Sequence, residues 1–183
     1  LKEIGAYHFT FASLFKNAKA LITMKFVSEA DIDAVIEALE NCSDDQYEAR
    51  MEAFAEAQPV IVAWLFSEQF DLLTEDEKGF VQYLCLIAWS AIVRVNGPVE
   101  PASEDQIGLA EEKNYEVLEL TAAKKFRDRL TPFFDNTDQE DLLAFAEDAV
   151  CEDEDDPESL VTKDGREPIF VAVKAMVDVL TAD

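Results

Sequence analysis

The side chains in this sequence that could do chemistry are mostly carboxylates: 40 aspartates and glutamates, against 15 lysines and arginines and one histidine. Converging carboxylates can hold a divalent cation through oxygen ligands. Asp44-Asp45-Gln46-Tyr47-Glu48 superficially matches a DDxxE pattern suited to magnesium and diphosphate. That chemistry needs further oxygen ligands from a facing helix and bases for the phosphates. Capping gives a simpler account, because Ser43-Asp44-Asp45-Gln46 has the form of a helix start, where acids complement the helix dipole. Glu152-Asp153-Glu154-Asp155-Asp156-Pro157-Glu158 is denser still. An EF-hand loop would need alternate ligands and a glycine at its sixth place, and Pro157 breaks that pattern. A solvated loop with weak divalent affinity is expected.

Other chemistries have fewer residues to draw on. ExxE pairs followed by ExxD mark helical pyrophosphatases. Glu37/Glu40 and Glu116/Glu119 supply the first half, but no ExxD follows at a suitable distance, so both pairs read as solvated helix faces. His8 is the only histidine, which leaves no His-based triad, HExxH site or paired Glu-x-x-His. Neither GxGxxG nor GxxxxGK[ST] occurs, so phosphate-cradling loops of those kinds are absent. Cys42, Cys85 and Cys151 are far apart and form no CxxC pair; they predict neither a disulfide framework nor a zinc knuckle, and they suit a reducing compartment. Lys124, Lys125, Arg127 and Arg129 form the basic cluster of an otherwise acidic body. They read first as complements to a helix C-terminus, and second as a site for an anion or acidic peptide. The sequence therefore nominates no catalytic residue, metal ligand or cofactor, and leans away from an enzyme.

The elements that would position any site are helical. Hydrophobic residues make up 49% of the chain and only 5 of its 183 residues are glycine. Strand-like alternation is scarce. Phe80–Val95 is apolar nearly all round, with Gln82, Ser90 and Arg94 as its strongly polar positions. Such a helix belongs in a core or in a membrane. Its 16 residues fall short of the roughly 20 a span needs, which favours a buried helix in a soluble fold and no membrane span. Thr74-Glu75-Asp76-Glu77 predicts its start by a capping box, and Asn96-Gly97-Pro98 its end.

Box-like starts also stand at Ser28, Ser43, Ser103 and Thr137, with Pro59 at a first helical position. They predict helices after 28 and 43, over Val60–Phe70, and from 104, the last loosened by Gly108 and breaking near Asn114. Tyr115–Leu130 is expected as a separate helix ending at Thr131-Pro132. Another follows Thr137, and a final, mostly apolar helix begins at Pro168. That last helix implies a large core or a face that dimerises. The fold class is all-α: a multi-helix bundle or helical-hairpin array of about eight to nine helices around the central apolar helix 80–95. Residues 1–183 form one helical domain, with a seam at 96–103 between halves 1–95 and 104–183.

Charge separates one stretch from the rest. Residues 1–27 carry four lysines and one glutamate, whereas the whole chain has net charge −25. Phe11, Leu14, Phe15, Ala18, Leu21 and Ile22 share one helical face. This segment reads as a first helix joining the core, with its lysines meeting the acidic body, or as a basic amphipathic element for a membrane surface or partner. The charge of the body opposes direct contact with nucleic acid. Three functions remain: a cytoplasmic, non-enzymatic protein–protein interaction module with a protein partner or as a homodimer; an acidic decoy of nucleic acid on a basic protein surface; and a small magnesium-dependent hydrolase.

Overall fold

The structure, a computed structural model, describes residues 23–151 and 159–182. Readings made on residues 1–22, His8 and the acidic run Glu152–Glu158 lie outside the described residues. Among those described there are eight α-helices and no strand. They are α1 (Glu29–Glu40), α2 (Asp44–Ala57), α3 (Pro59–Leu65), α4 (Glu75–Asn96), α5 (Glu104–Leu120), α6 (Phe126–Phe134), α7 (Glu140–Cys151) and α8 (Arg166–Leu180), with a 3-10 turn at Glu68–Phe70. The all-α bundle expected from the sequence is the observed fold.

Local chemistry sets four of the starts. Glu77 N–H donates to the Thr74 hydroxyl at 3.2 Å, and Thr74 N–H donates to the Glu77 carboxylate at 2.8 Å. Ser43 with Gln46 and Ser103 with Gln106 repeat this reciprocal pairing. At Ser28, both the N–H and the hydroxyl donate to Asp31. Those bonds, with Arg94 3.8 Å away, hold the Asp31 carboxyl below its ordinary range despite some desolvation. Gly97 closes α4 at φ +80°, a conformation that residues with a side chain rarely adopt.

Two helices share the centre. Helix α4 buries Val81, Leu84–Ala88, Ala91 and Ile92, and packs against α1, α2, α3 and α8. Trp89 lies against Phe54 of α2, with ring centroids 5.1 Å apart. Among the described residues, α4 alone is long and apolar enough to cross a membrane, and 44% of its most apolar window is buried within the fold. Helix α8 is covered even more completely: Ile169 through Val177 are all buried, beneath α4, α5 and α7. Phe170 meets Phe133 and Phe126 edge-on at 5.2 and 6.5 Å. A side chain so enclosed contributes about 1.5–3 kcal/mol by leaving water.

Three boundaries differ from the sequence reading. Helix α5 does not break at Asn114 but continues to Leu120, because Asn114 is buried and donates to Asp178 of α8 at 3.1 Å. The break comes at 121–125, and α6 then runs through Pro132 to Phe134. There the missing N–H forfeits one intrahelical bond, while buried Leu130 and Phe133 anchor the helix on both sides of it. Helix α3 stops at Leu65, with the 3-10 turn completing the predicted span to Phe70, and α8 begins at Arg166, two residues before Pro168.

Buried polar side chains join these helices. Two glutamines do so in the same manner. The Gln58 amide accepts from Ala102 N–H at 2.9 Å and donates to Glu100 C=O at 3.2 Å. The Gln139 amide accepts from Val27 N–H at 2.9 Å and donates to Lys25 C=O at 3.2 Å. Each carboxamide thus substitutes for a neighbouring strand along an extended backbone, satisfying groups whose burial would otherwise be costly. The first holds the loop at 97–103 against the α2–α3 elbow. The second holds the chain entering α1.

Candidate functional site

A groove of about 490 Å³ lies between α1, α4 and α7. Periodicity builds its floor. Ile32 and Ile36 are one turn apart on α1; Phe80, Tyr83 and Ile87 follow the same rule on α4; Phe145 comes from α7. Ile36, Phe80, Tyr83 and Phe145 are only half-buried, so the floor presents apolar surface that no described element covers. Five carboxylates line the same groove: Glu29, Asp33, Glu40, Asp141 and Asp148. Glu29, Asp33, Glu40 and Asp148 are exposed. Asp141 receives the Glu29 N–H at 2.8 Å and so caps α1 from α7, and Asp148 receives Arg127 at 3.2 Å. Burial, followed by the nearby Glu40 charge, pushes the Tyr83 phenol above its ordinary range, so it stays neutral at physiological pH.

Apolar surface bordered by one sign of charge selects a ligand with an apolar face and the opposite charge at its flanks. Among the described residues, no group of three or more histidine, cysteine, aspartate or glutamate side chains is placed to hold a metal ion.

The residues singled out in the sequence are scattered. Asp44 and Asp45 occupy the first turn of α2, and Glu37, Glu40, Glu116 and Glu119 are exposed on α1 and α5, with Glu40 alone reaching the groove. The basic cluster splits. Arg127 lies against Glu147 and Asp148 of α7, at 3.8 and 3.2 Å. Arg129 pairs with Glu167 at 2.9 Å and donates to Leu118 C=O at 3.2 Å, at the carbonyl end of α5; the cluster does not end its own helix, as the sequence reading had it, but stands at the start of α6. Lys124 and Arg129 border a cleft of about 340 Å³ together with Lys163 and Arg166, a pairing of distant residues that no local pattern announces. A third concavity, about 480 Å³ between α3 and α5, holds Trp64, whose indole N–H donates to Glu111 at 3.4 Å. Burial raises the Glu111 carboxyl in spite of that bond. Burial also pushes the Cys85 thiol up to about 12, which leaves it unreactive at neutral pH.

No family model matches the chain, and neither does any curated protein or solved structure.

Sequence reasoning found the stripes of α1, α4 and α7 separately. It did not bring them to one groove, because the contacts joining them are not local. A usable signal was present in α1, where Asp33 and Glu40 flank the apolar positions Ile32 and Ile36.

Proposed function

We propose that this protein is a cytoplasmic, non-enzymatic protein–protein interaction module whose docking face is the groove between α1, α4 and α7. The partner element is an amphipathic helix with a basic flank, carried by another protein. The observation that supports this reading is the pairing of an uncovered apolar floor, Ile36, Phe80, Tyr83 and Phe145, with Glu29, Asp33 and Glu40 along its border. Helix-in-groove recognition uses apolar anchors at helical spacing for affinity, and charge along the flanks for orientation and rate.

The test is a titration of the full chain with two synthetic 16-residue helical peptides. Both have the same leucine face; one has lysine flanks and the other glutamate flanks. The lysine peptide should bind, with amide shifts confined to α1, α4 and α7, and the glutamate peptide should not. Asp33→Lys with Glu40→Lys should weaken binding about tenfold or more, and added salt should reduce what remains. Equal binding of both peptides, or an affinity indifferent to the reversed charges, would refute the proposal.

A further inference from the structure

We infer that the cleft between the α5–α6 connection and the start of α8 binds a small phosphomonoester, its phosphate among Lys124, Arg129, Lys163 and Arg166 and its apolar body against Phe126. The cleft shares no lining residue with the groove between α1, α4 and α7, and its ligand is independent of any docking there.

Charge sets the cleft apart. Acids outnumber bases 40 to 15 over the whole chain, yet four bases and two acids line this cleft of about 340 Å³. One of the two acids, Glu167, is already committed to Arg129 at 2.9 Å. That leaves Glu119, exposed on α5, against Lys124, Lys163 and Arg166. Exposed charges farther off than about 8–10 Å are screened at physiological ionic strength, so the local excess sets the sign that a ligand meets. The bases come from three stretches of chain: the 121–125 connection, α6, and the turn into α8. Folding gathers them against their mutual repulsion, and a bound anion offsets it.

Their placement suits an anion as well. Arg166 is buried, and Arg129 is half-buried with its guanidinium bonded to Glu167 and, at 3.2 Å, to Leu118 C=O. Lys124 and Lys163 are exposed and form no ion pair among the described residues. Two guanidinium groups are thus set by packing, and two ammonium groups can close on a ligand. Phe126 and Arg166 are the first residues of α6 and α8, and neither helix start carries a side-chain cap. The positive poles of two helices add to the potential of the cleft.

Shape and size narrow the ligand. Leu118, Ala123 and Phe126 form an apolar wall beside the bases. Small-molecule pockets run from about 300 to 1,000 Å³, and this cleft lies at the lower end, with room for a phosphate and one ring. A phosphomonoester carries about −1.5 to −2 charges at neutral pH and presents three acceptor oxygens. A carboxylate has a single charge and two oxygens. Bases arriving from three stretches of chain match the phosphate.

Phenyl phosphate, inorganic phosphate and benzoate, each titrated into the full chain, provide the test through amide shifts and thermal unfolding. Phenyl phosphate should saturate with a Kd of about 1 mM or tighter, shift Lys124, Phe126, Lys163 and Arg166 most, and raise Tm. Inorganic phosphate, which lacks the ring, and benzoate, which lacks the phosphate, should each bind about tenfold more weakly. Lys124→Glu with Lys163→Glu should abolish binding while the unliganded variant keeps the native Tm, because both residues are exposed. The milder Lys124→Gln with Lys163→Gln should weaken binding about tenfold. Lys25→Glu with Lys113→Glu makes the same change in net charge at exposed residues that do not line the cleft, and should leave the affinity within about twofold. Equal weakening by both charge-reversed pairs would report total charge alone and overturn the inference. Phenyl phosphate that fails to saturate, shifts confined to other faces, or benzoate or inorganic phosphate matching phenyl phosphate would overturn it too. A phosphotyrosine peptide binding more tightly than phenyl phosphate would overturn the small-molecule assignment in favour of a phosphorylated protein.

Discussion

The surroundings of α8 and the groove beside α1 are built from the same residue types and end in opposite states. Around α8 the large side chains are enclosed within the fold. Phe170 is enclosed by Phe126 and Phe133. Lys174, also buried, pairs with Asp178 and lies 5.8 Å from the Phe133 ring centre. Glu77, fully buried, reaches from α4 to the turn before α8, where its carboxylate accepts from Thr162 N–H at 2.8 Å and from the Thr162 hydroxyl at 2.7 Å. Gly165 is fitted so closely to that carboxylate that an added Cβ would sit 2.1 Å from Glu77 Oε1. In the groove, Phe80, Tyr83 and Phe145 are left half-covered and the acids face water. Aromatic rings stabilise a fold where they are enclosed. Where they are left accessible under one sign of charge, they are available for recognition.

Phenylalanine truncation in each region tests this contrast with the largest expected effect. Phe170→Ala should cost about 3–5 kcal/mol, and Phe80→Ala no more than about 1.5 kcal/mol, read from denaturant unfolding of the two variants. Comparable losses would mean that the groove is as much core as α8. Next comes Glu77. Burial by itself would raise its carboxyl, but the hydrogen bonds from Thr162 and Thr74 outweigh it and hold the group below its ordinary range. A depressed carboxyl contributes stability that is present above its unfolded pKa of about 4.3 and is lost as pH falls through the lower folded value. Glu77→Gln should therefore destabilise the protein by about 1–3 kcal/mol at neutral pH and flatten the loss of stability below pH 4. Acid unfolding curves identical to the native ones would show that Glu77 is not the link between α4 and α8.

Gln139→Leu should be milder, about 1–2 kcal/mol, because it strips partners from Lys25 and Val27 at the edge of the groove rather than from its centre. Faster hydrogen exchange at Val27 than at Ile92 would locate the effect. The smallest change in stability belongs to Asp33→Lys, within about 0.5 kcal/mol, together with a clear loss of affinity for the lysine-flanked peptide. Loss of stability without loss of affinity would reverse the roles assigned to the two regions.

What was legible in the chain followed the range of the interactions involved. The starts of α1, α2, α4 and α5 were readable because each capping box closes within four residues, as Thr74 and Glu77 do. The apolar character of 80–95 required burial by something, whatever the partner, and α4 is buried by its neighbours. The sequence by itself therefore determined the helical class, most helix starts and the excess of surface acid. Tertiary structure alone decided that α5 continues through Asn114, that Pro132 lies inside α6, and that α4 shares the centre with α8. It also decided that Glu77, a capping residue by pattern, holds Thr162, 85 residues away, and that Gln139 holds Val27 across 112. Such pairings leave no local trace, since a glutamine or glutamate has the same neighbours in sequence whether its side chain meets water or a distant backbone. The groove belongs with them: three apolar stripes, each ordinary alone, become one concave surface only where packing brings them side by side and leaves them uncovered.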